Sequence, residues 1–475
     1  MKEKIERFFE KKENLYIVLA FGFGLLMALL NPPFAGVPDE HAHYWKAWSI
    51  AEGQLQCSGK DAIPATAAAL PDAIKPVINK AFEGKKIIVN KLRIYLGQAD
   101  NNETTVIGGA NCPATPFGYI PQVIGLRLGK IFNAPALVDF YLARILSLLA
   151  AAFLVYWAIR VVPFGKMIFV VIGLLPMTIR QFSSMSYDAL QIAFAMLFLA
   201  YILKFAVEKT KLLTRNNALF LAALSLFGLN IKAGYFVLSF LVFLFPFSKF
   251  KDRKKYWLFT ISFVVISVAF FLLMRNVFVD TAIPTWTNPA QQMKYVISNP
   301  FNFVNISLES FYGSKGFFPF MESIFFKVGT GESLSYWVYV LIFFGFIVFL
   351  KNNDEEVDLS AKQRWIMFLV FLANFFLIYL ALYVGWTTVG ADHVSGVQGR
   401  YFLVILPLLI FAFYKAKLNF KCDFIKKHMS VIFAAFLMVI FLASFFAIYQ
   451  AYYQKVPKVQ DTSEVKIKEG KTVNN

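Results

Sequence analysis

The segment Pro38-Asp39-Glu40-His41-Ala42-His43-Tyr44 sets two carboxylates and two imidazoles within five residues. Such groups exchange protons in general acid–base catalysis and also ligate divalent metals. In a helix, Asp39 and His43 share a face at i, i+4, and Glu40 and His43 at i, i+3. Pro32, Pro33 and Pro38 stiffen the approach, which favours a fixed constellation over a loose loop. The bland alternative is that Asp39 or Glu40 only caps an interfacial helix behind Pro38.

A second cluster is Gly390-Ala391-Asp392-His393, followed by Val397-Gln398-Gly399-Arg400-Tyr401. A fixed guanidinium such as Arg400 matches phosphate oxygens; the alternative is an arginine snorkelling to lipid headgroups. Arg144 and Asp188 lie within or at the end of apolar runs, where charge is costly and takes a functional or paired role. The structural alternative there is an Arg144–Asp188 or Arg144–Asp139 pair. Arg180, Lys232 and Arg275 sit near run ends on the same side. With Arg400 they could ring a lipid phosphate; singly, each reads as a topology anchor. In Glu309-Ser310-Phe311-Tyr312-Gly313-Ser314-Lys315-Gly316-Phe317-Phe318, two glycines among aromatics predict a tight turn seated partly in the membrane. That turn serves either the site or only the fold.

The elements that must position these groups are membrane spans. Of 475 residues, 58% are apolar and 55 are Phe, above the 45–50% usual for a soluble domain. The excess falls in runs of bilayer length. Candidate spans are 15–31, 137–158, 166–180, 188–205, 217–230, 233–248, 257–278, 334–350, 365–386, 401–415 and 429–450. This is an all-α polytopic membrane protein of about eleven transmembrane helices, with residues 1–453 as one membrane domain. The pair 217–230 and 233–248 is the weakest of the set, since Asn230-Ile231-Lys232 alone separates them. The first run reads as a retained helix, because Asn31-Pro32-Pro33 follows it with no small-residue cleavage site.

Lys2, Lys4, Arg7, Lys11 and Lys12 precede the first span, and 159–166, 204–215, 249–255, 351–364 and 415–428 are also basic. These are every second connection. By the positive-inside rule they place the N-terminus in the cytoplasm and the C-terminus outside. The extracytoplasmic loops are then 32–136, 279–333 and 387–400. Loops as long as the first two are functional or form small domains. Within the first, Tyr119 to Phe132 reads as an amphipathic interfacial helix. The tail 454–475 has little to bury and reads as disordered.

The net charge of +18 flanks the apolar runs, so it marks topology and headgroup contacts, and no nucleic-acid partner is expected. The three cysteines include no CxxC pair, so a thiolate metal site is not expected. Cys57 and Cys112 share the first loop, on the side where a disulfide can form.

The chain resembles the bacterial membrane-protein family catalogued as domain of unknown function 2142. The matching pieces are Pro33, Val37-Pro38-Asp39-Glu40-His41-Ala42-His43 with Trp45, Ala51-Glu52-Gly53, Tyr119-Ile120-Pro121, Ala143-Arg144, Ser184-Met185-Ser186-Tyr187-Asp188-Ala189-Leu190, Ser310-Phe311-Tyr312-Gly313 and Gly399-Arg400-Tyr401. They run in order through nearly the whole chain. The family pattern calls for Asp39, Glu40 and His43. That family is similar to C-type, lipid-phosphosugar-dependent glycosyltransferases, although many of those carry a larger soluble domain than this chain has. The resemblance implies a bacterial inner-membrane enzyme that takes a sugar from a polyprenyl-phosphate donor to a cell-envelope glycan or lipid acceptor. It implies Asp39 or Glu40 as general base, or as ligands with His43 of a divalent metal ion. Arg400 and Tyr401, with Arg144 and Asp188, would bind the lipid phosphate. Rival readings are a lipid-linked oligosaccharide transporter or flippase, a polysaccharide polymerase or ligase, and a non-catalytic scaffold. The ionisable groups gather at one face rather than at mid-span, which disfavours transport.

Overall fold

The computed structural model describes residues 8–56, 60–82, 103–108, 114–208, 212–232, 234–278, 286–313, 359–413 and 429–453, with short pieces between 321 and 345. The first apolar run forms α1 (Lys12–Leu30). Pro32 and Pro33 end it, since neither can donate to the carbonyl four residues back. A bent linker leads to α2 (Glu40–Ala51). A small subdomain follows, with β1 (Asp61–Pro64) paired antiparallel to β2 (Thr104–Ile107) and α3 (Ala65–Phe82) between them. A 3-10 turn, Pro116–Tyr119, then opens α4 (Ile120–Ile131).

The bundle continues with α5 (Ala136–Val161), the short pair α6 (Lys166–Gly173) and α7 (Pro176–Phe182), and α8 (Asp188–Val207). Next is α9 (Arg215–Ala223), which widens into a π-turn at Leu224–Leu229, and then a 3-10 helix, Tyr235–Leu244. After it come α10 (Arg253–Phe278), α11 (Pro289–Ser298) and α12 (Pro300–Tyr312). The chain then runs through α13 (Ala361–Gly385), a 3-10 turn at Gly399–Val404, α14 (Leu406–Ala412) and α15 (Met429–Tyr452). Two further short strands, Lys327–Val328 and Glu332–Ser333, pair with each other.

Among the described residues six helices are long and apolar enough to cross a membrane: α1, α5, α8, α10, α13 and α15. The other expected spans are built differently. Residues 166–180 divide at Leu174-Leu175, because Pro176 bars the preceding residue from helical geometry. Residues 217–230 and 233–248 become the α–π and 3-10 segments, joined through Gly234 at φ 102°. Ten residues of 3-10 helix rise only ~20 Å, short of the ~30 Å apolar core of a bilayer. Residues 401–415 likewise divide into a 3-10 turn and α14, with Pro407 at the start of the latter. Most of the span at 334–350 and the tail at 454–475 lie outside the described residues, as do Cys57 and Cys112.

The centre of the bundle is α8, most of whose side chains are buried. It packs on α5, which also carries α1 and α4. Close approach of α4 to α5 depends on Gly125 and Gly129. A Cβ at Gly125 would meet the Ala143 backbone nitrogen at 2.7 Å, and one at Gly129 would collide with the Asp139 carboxylate. The opposite face of α4 exposes Ile120, Ile124, Leu128 and Ile131, an apolar stripe of the kind expected of an interfacial helix.

Candidate functional site

The linker after α1 places the acidic–histidine segment. Phe34 and Asp39 both take left-handed backbone, at φ 63° and 58°. Asp39 occupies the N-cap of α2 without capping it through its side chain, and it is exposed. Asp and Asn tolerate this conformation better than other non-glycine residues. The turn at Asp39 sends Glu40 and His43 inward, where both are buried.

Glu40 meets Arg144. Arg144 donates from Nε to Glu40 Oε1 at 2.9 Å and from Nη2 to Oε2 at 2.6 Å. The backbone N–H of Phe34 donates to Oε2 and that of Met185 to Oε1, each at 3.2 Å. A carboxylate has about four lone-pair sites, so Glu40 is filled. Arg144 is filled too: Nη1 donates to the carbonyls of Ala28 and Asn31 at 2.9 and 2.7 Å, and Nη2 also to that of Pro32 at 3.5 Å. All five donors of the guanidinium are used. The Ala28 carbonyl needs this contact, because the residue four positions on is Pro32, which has no N–H. Tyr452 and Tyr453 at the end of α15 donate to the carbonyls of Ala35 and Leu30 at 3.1 and 3.0 Å.

Two expectations are thereby corrected. Arg144 pairs with Glu40, not with Asp139 or Asp188, and it has no donor left for a phosphate. Glu40 has no open lone pair for a proton or a metal. The ion pair holds the exit of α1 against α5.

Beyond it, one turn along α2, His43 Nδ1 lies 2.9 Å from Tyr119 Oη. Its ring packs edge-on to Tyr187 at 5.0 Å. Burial drives the His43 pKa down to about 3, with Arg400 and Lys232 adding to the shift and Asp188 opposing it. The imidazole is therefore neutral at physiological pH. Asp39, Glu40 and His43 do not assemble into a metal site. Glu40 is filled, His43 faces a tyrosine, and among the described residues no three His, Cys, Asp or Glu side chains converge to hold a metal ion.

The residues that do come together are Asp188, Lys232, Arg400 and Tyr401, roofed by Tyr187. Arg400 Nε is 3.4 Å from Asp188 Oδ2, and both side chains are buried. Lys232 Nζ sits over the Tyr401 ring at 3.6 Å and the Tyr187 ring at 5.6 Å. Tyr235 donates its hydroxyl to the Tyr401 carbonyl at 2.7 Å, which ties the two 3-10 segments together. The Lys232 N–H donates to Gln191 Oε1 at 3.1 Å, and Thr115 N–H to the Ile231 carbonyl at 2.9 Å. Asp188 starts α8, and its N–H is taken by Ser186 Oγ at 3.2 Å. Arg180 from α7 is buried within electrostatic reach of Arg400. Arg275, by contrast, is exposed on α10.

Lys232 and Arg400 outnumber Asp188. Arg400 Nη1 is buried with no hydrogen-bond partner among the described residues. Buried charge is costly unless it is compensated, so this arrangement suits an anion with several acceptor oxygens. The sequence singles out Arg400, Tyr401 and Asp188 for the site, and leaves Lys232 between a place beside Arg400 at a lipid phosphate and a topology anchor. It gives no role to Tyr119 or Tyr187, although both stand in the short matching motifs. Their signal was proximity to charged residues, which spacing along the chain does not convert into contact.

A family model described as Predicted membrane protein (DUF2142) matches residues 21–409, a stretch that takes in every residue of this cluster. No curated protein and no solved structure matches the chain.

Proposed function

The chain belongs to the DUF2142 family of membrane proteins, and on that premise we propose that it is a glycosyltransferase using a polyprenyl-phosphate sugar donor. The observation that carries the reading is the cationic cluster at Asp188, in which Arg400 is buried with an unfilled donor and Lys232 is half-buried. In this reading the chain crosses the bacterial inner membrane about eleven times, with its N-terminus in the cytoplasm. The cluster then lies toward the extracytoplasmic face, at the level of the lipid headgroups. The acceptor is a cell-envelope glycan or lipid.

The donor phosphate is held by Arg400 and Lys232. An acceptor hydroxyl attacks the anomeric carbon, and the bond from that carbon to the phosphate oxygen breaks. The electron pair leaves with the phosphate. Charge grows on that oxygen as the bond breaks, so cations already in place lower the barrier selectively. Asp39, exposed at the start of α2, takes the acceptor's proton. Asp188 keeps the Arg400 guanidinium in place, and His43 with Tyr119 and Tyr187 forms a neutral wall. Arg144 and Glu40 act only through the fold.

Reconstitution of the purified protein with a panel of polyprenyl-phosphate sugars and envelope-type acceptors tests this. The expected result is transfer by wild type and a loss of at least about a hundredfold in Arg400→Ala, the size seen when a transition-state donor is removed. Absence of transfer across the panel would sink the enzymatic reading. Equal turnover by well-folded Arg400→Ala would reject the phosphate role.

A further inference from the structure

The loop between α13 and Arg400 carries a second array that the Arg400–Lys232 cluster does not use. His393 Nδ1 lies 2.9 Å from Asp392 Oδ1, and His393 Nε2 lies 3.3 Å from Ser395 Oγ. The Asp392 and His393 side chains are 97% and 66% exposed. Beside them stand two indoles, Trp386 and Trp286, each about half exposed. Their rings meet edge to face at 5.5 Å, and Trp286 Nε1 donates to the Trp386 carbonyl at 3.4 Å. Trp386 packs on the same loop, at Gly396, the residue after Ser395. It lies so close to Gly396 that a Cβ there would be 2.7 Å from Trp386 Cδ1.

The loop is held from three sides. The Gly390 N–H donates to buried Gln292 of α11 at 2.9 Å, and the Val394 N–H to Ser310 of α12 at 2.9 Å. Tyr383 of α13 donates to the Ala391 carbonyl at 2.7 Å, and the Ser395 N–H donates to Thr387 Oγ1 at 3.1 Å. Gly390 and Gly396 supply the left-handed turns, at φ 73° and 78°. Indoles and polar groups are thus presented on a braced surface, and the chain runs from it straight into Arg400.

We infer that Trp286, Trp386, Asp392, His393 and Ser395 form a carbohydrate-binding subsite that holds the acceptor glycan. A pyranose has a C–H face, which rests on an indole, and a rim of hydroxyls, which needs paired donors and acceptors. A carboxylate, an imidazole and a serine hydroxyl provide both. As an acceptor site the inference rests on the transferase reading; as a glycan-binding surface it stands on its own contacts.

The test uses the full-length protein in lipid nanodiscs on a glycan array of hexose, hexosamine and deoxyhexose oligosaccharides, with no lipid donor added. Wild type is expected to retain at least one glycan class. Trp386→Ala and Trp286→Ala should each lower apparent affinity tenfold or more, and His393→Ala severalfold. A second readout guards against misfolding. The absolute indole emission lost on moving to nanodiscs with brominated acyl chains should be the same in wild type and in Trp286→Phe/Trp386→Phe, because these indoles stand clear of the chains. No retained glycan, unchanged binding by the tryptophan variants, or a smaller bromine-quenched emission in the double variant would each overturn the inference. Glycan binding by a protein that transfers no sugar would leave this surface standing and remove only the enzymatic reading.

Discussion

Glu40 and Arg144 face each other through two parallel hydrogen bonds of 2.9 and 2.6 Å, with neither side chain exposed to solvent. They are 104 residues apart in the chain, and the pair fastens the end of α1 and the start of α2 to α5. Removing one member of a buried pair leaves the other charge uncompensated, at a cost of about 3–5 kcal/mol. Glu40→Ala and Arg144→Ala should therefore both lower the melting temperature sharply or abolish monodisperse protein in detergent. Glu40→Gln/Arg144→Met should recover part of the loss. Single variants that melt like wild type would show that the pair carries little.

Asp39 separates chemistry from folding. Asn adopts the left-handed backbone about as readily as Asp, so Asp39→Asn should leave the melting temperature unchanged while abolishing sugar transfer. Normal transfer by Asp39→Asn would remove Asp39 as the base. A large drop in stability would mean that its carboxylate serves the fold.

His43 sets a pH dependence of stability. Its pKa is about 3 in the folded chain against ~6.5 unfolded. Between these values the unfolded state binds more protons, so stability rises with pH. The contribution is complete above pH ~6.5 and is lost progressively as pH falls toward 3, at up to ~1.4 kcal/mol per pH unit. Melting curves from pH 7 to 5 should fall more steeply for wild type than for His43→Gln. Parallel curves would mean that the imidazole accepts a proton in place.

The α4–α5 contact admits no side chain at Gly125. Gly125→Val drives a branched Cβ into the Ala143 backbone, and overpacking of this kind costs about 1–3 kcal/mol or more. Thermal unfolding should show the loss. Gly22, whose Cβ position is open, should accept Ala without effect. Equal responses at the two glycines would contradict the packing described.

Lys232 and Arg400 differ in what each offers a phosphate. A guanidinium can engage two oxygens at once, whereas an ammonium is a point charge. Arg400→Lys should restore only part of the turnover lost in Arg400→Ala. Lys232→Arg should keep most of its function if charge is what matters there. Full rescue of Arg400→Ala by lysine would argue against bidentate phosphate binding.

Much of this was legible in the sequence, though unevenly. The long spans α1, α5, α8, α10, α13 and α15 coincide closely with apolar runs, because a run of bilayer length has few other stable fates in a membrane. The broken segments at 166–182, 215–244 and 399–412 were not legible as such. Hydropathy reports which residues avoid water, and Pro176, Gly234 and Pro407 decide where the helix interrupts itself.

The site divides along the same line. Residue type and position in the chain were enough to single out Asp39, Glu40, His43, Arg144, Asp188 and Arg400, since charge beside or within apolar runs is costly and needs a reason. Which charge meets which was decided by tertiary structure alone. A left-handed turn at Asp39 sends Glu40 to Arg144, and the packing of α8 against the Gly399–Val404 turn sends Asp188 to Arg400. An ion pair forms over a few ångströms in space, and spacing along the chain carries that distance only within a single helix or strand.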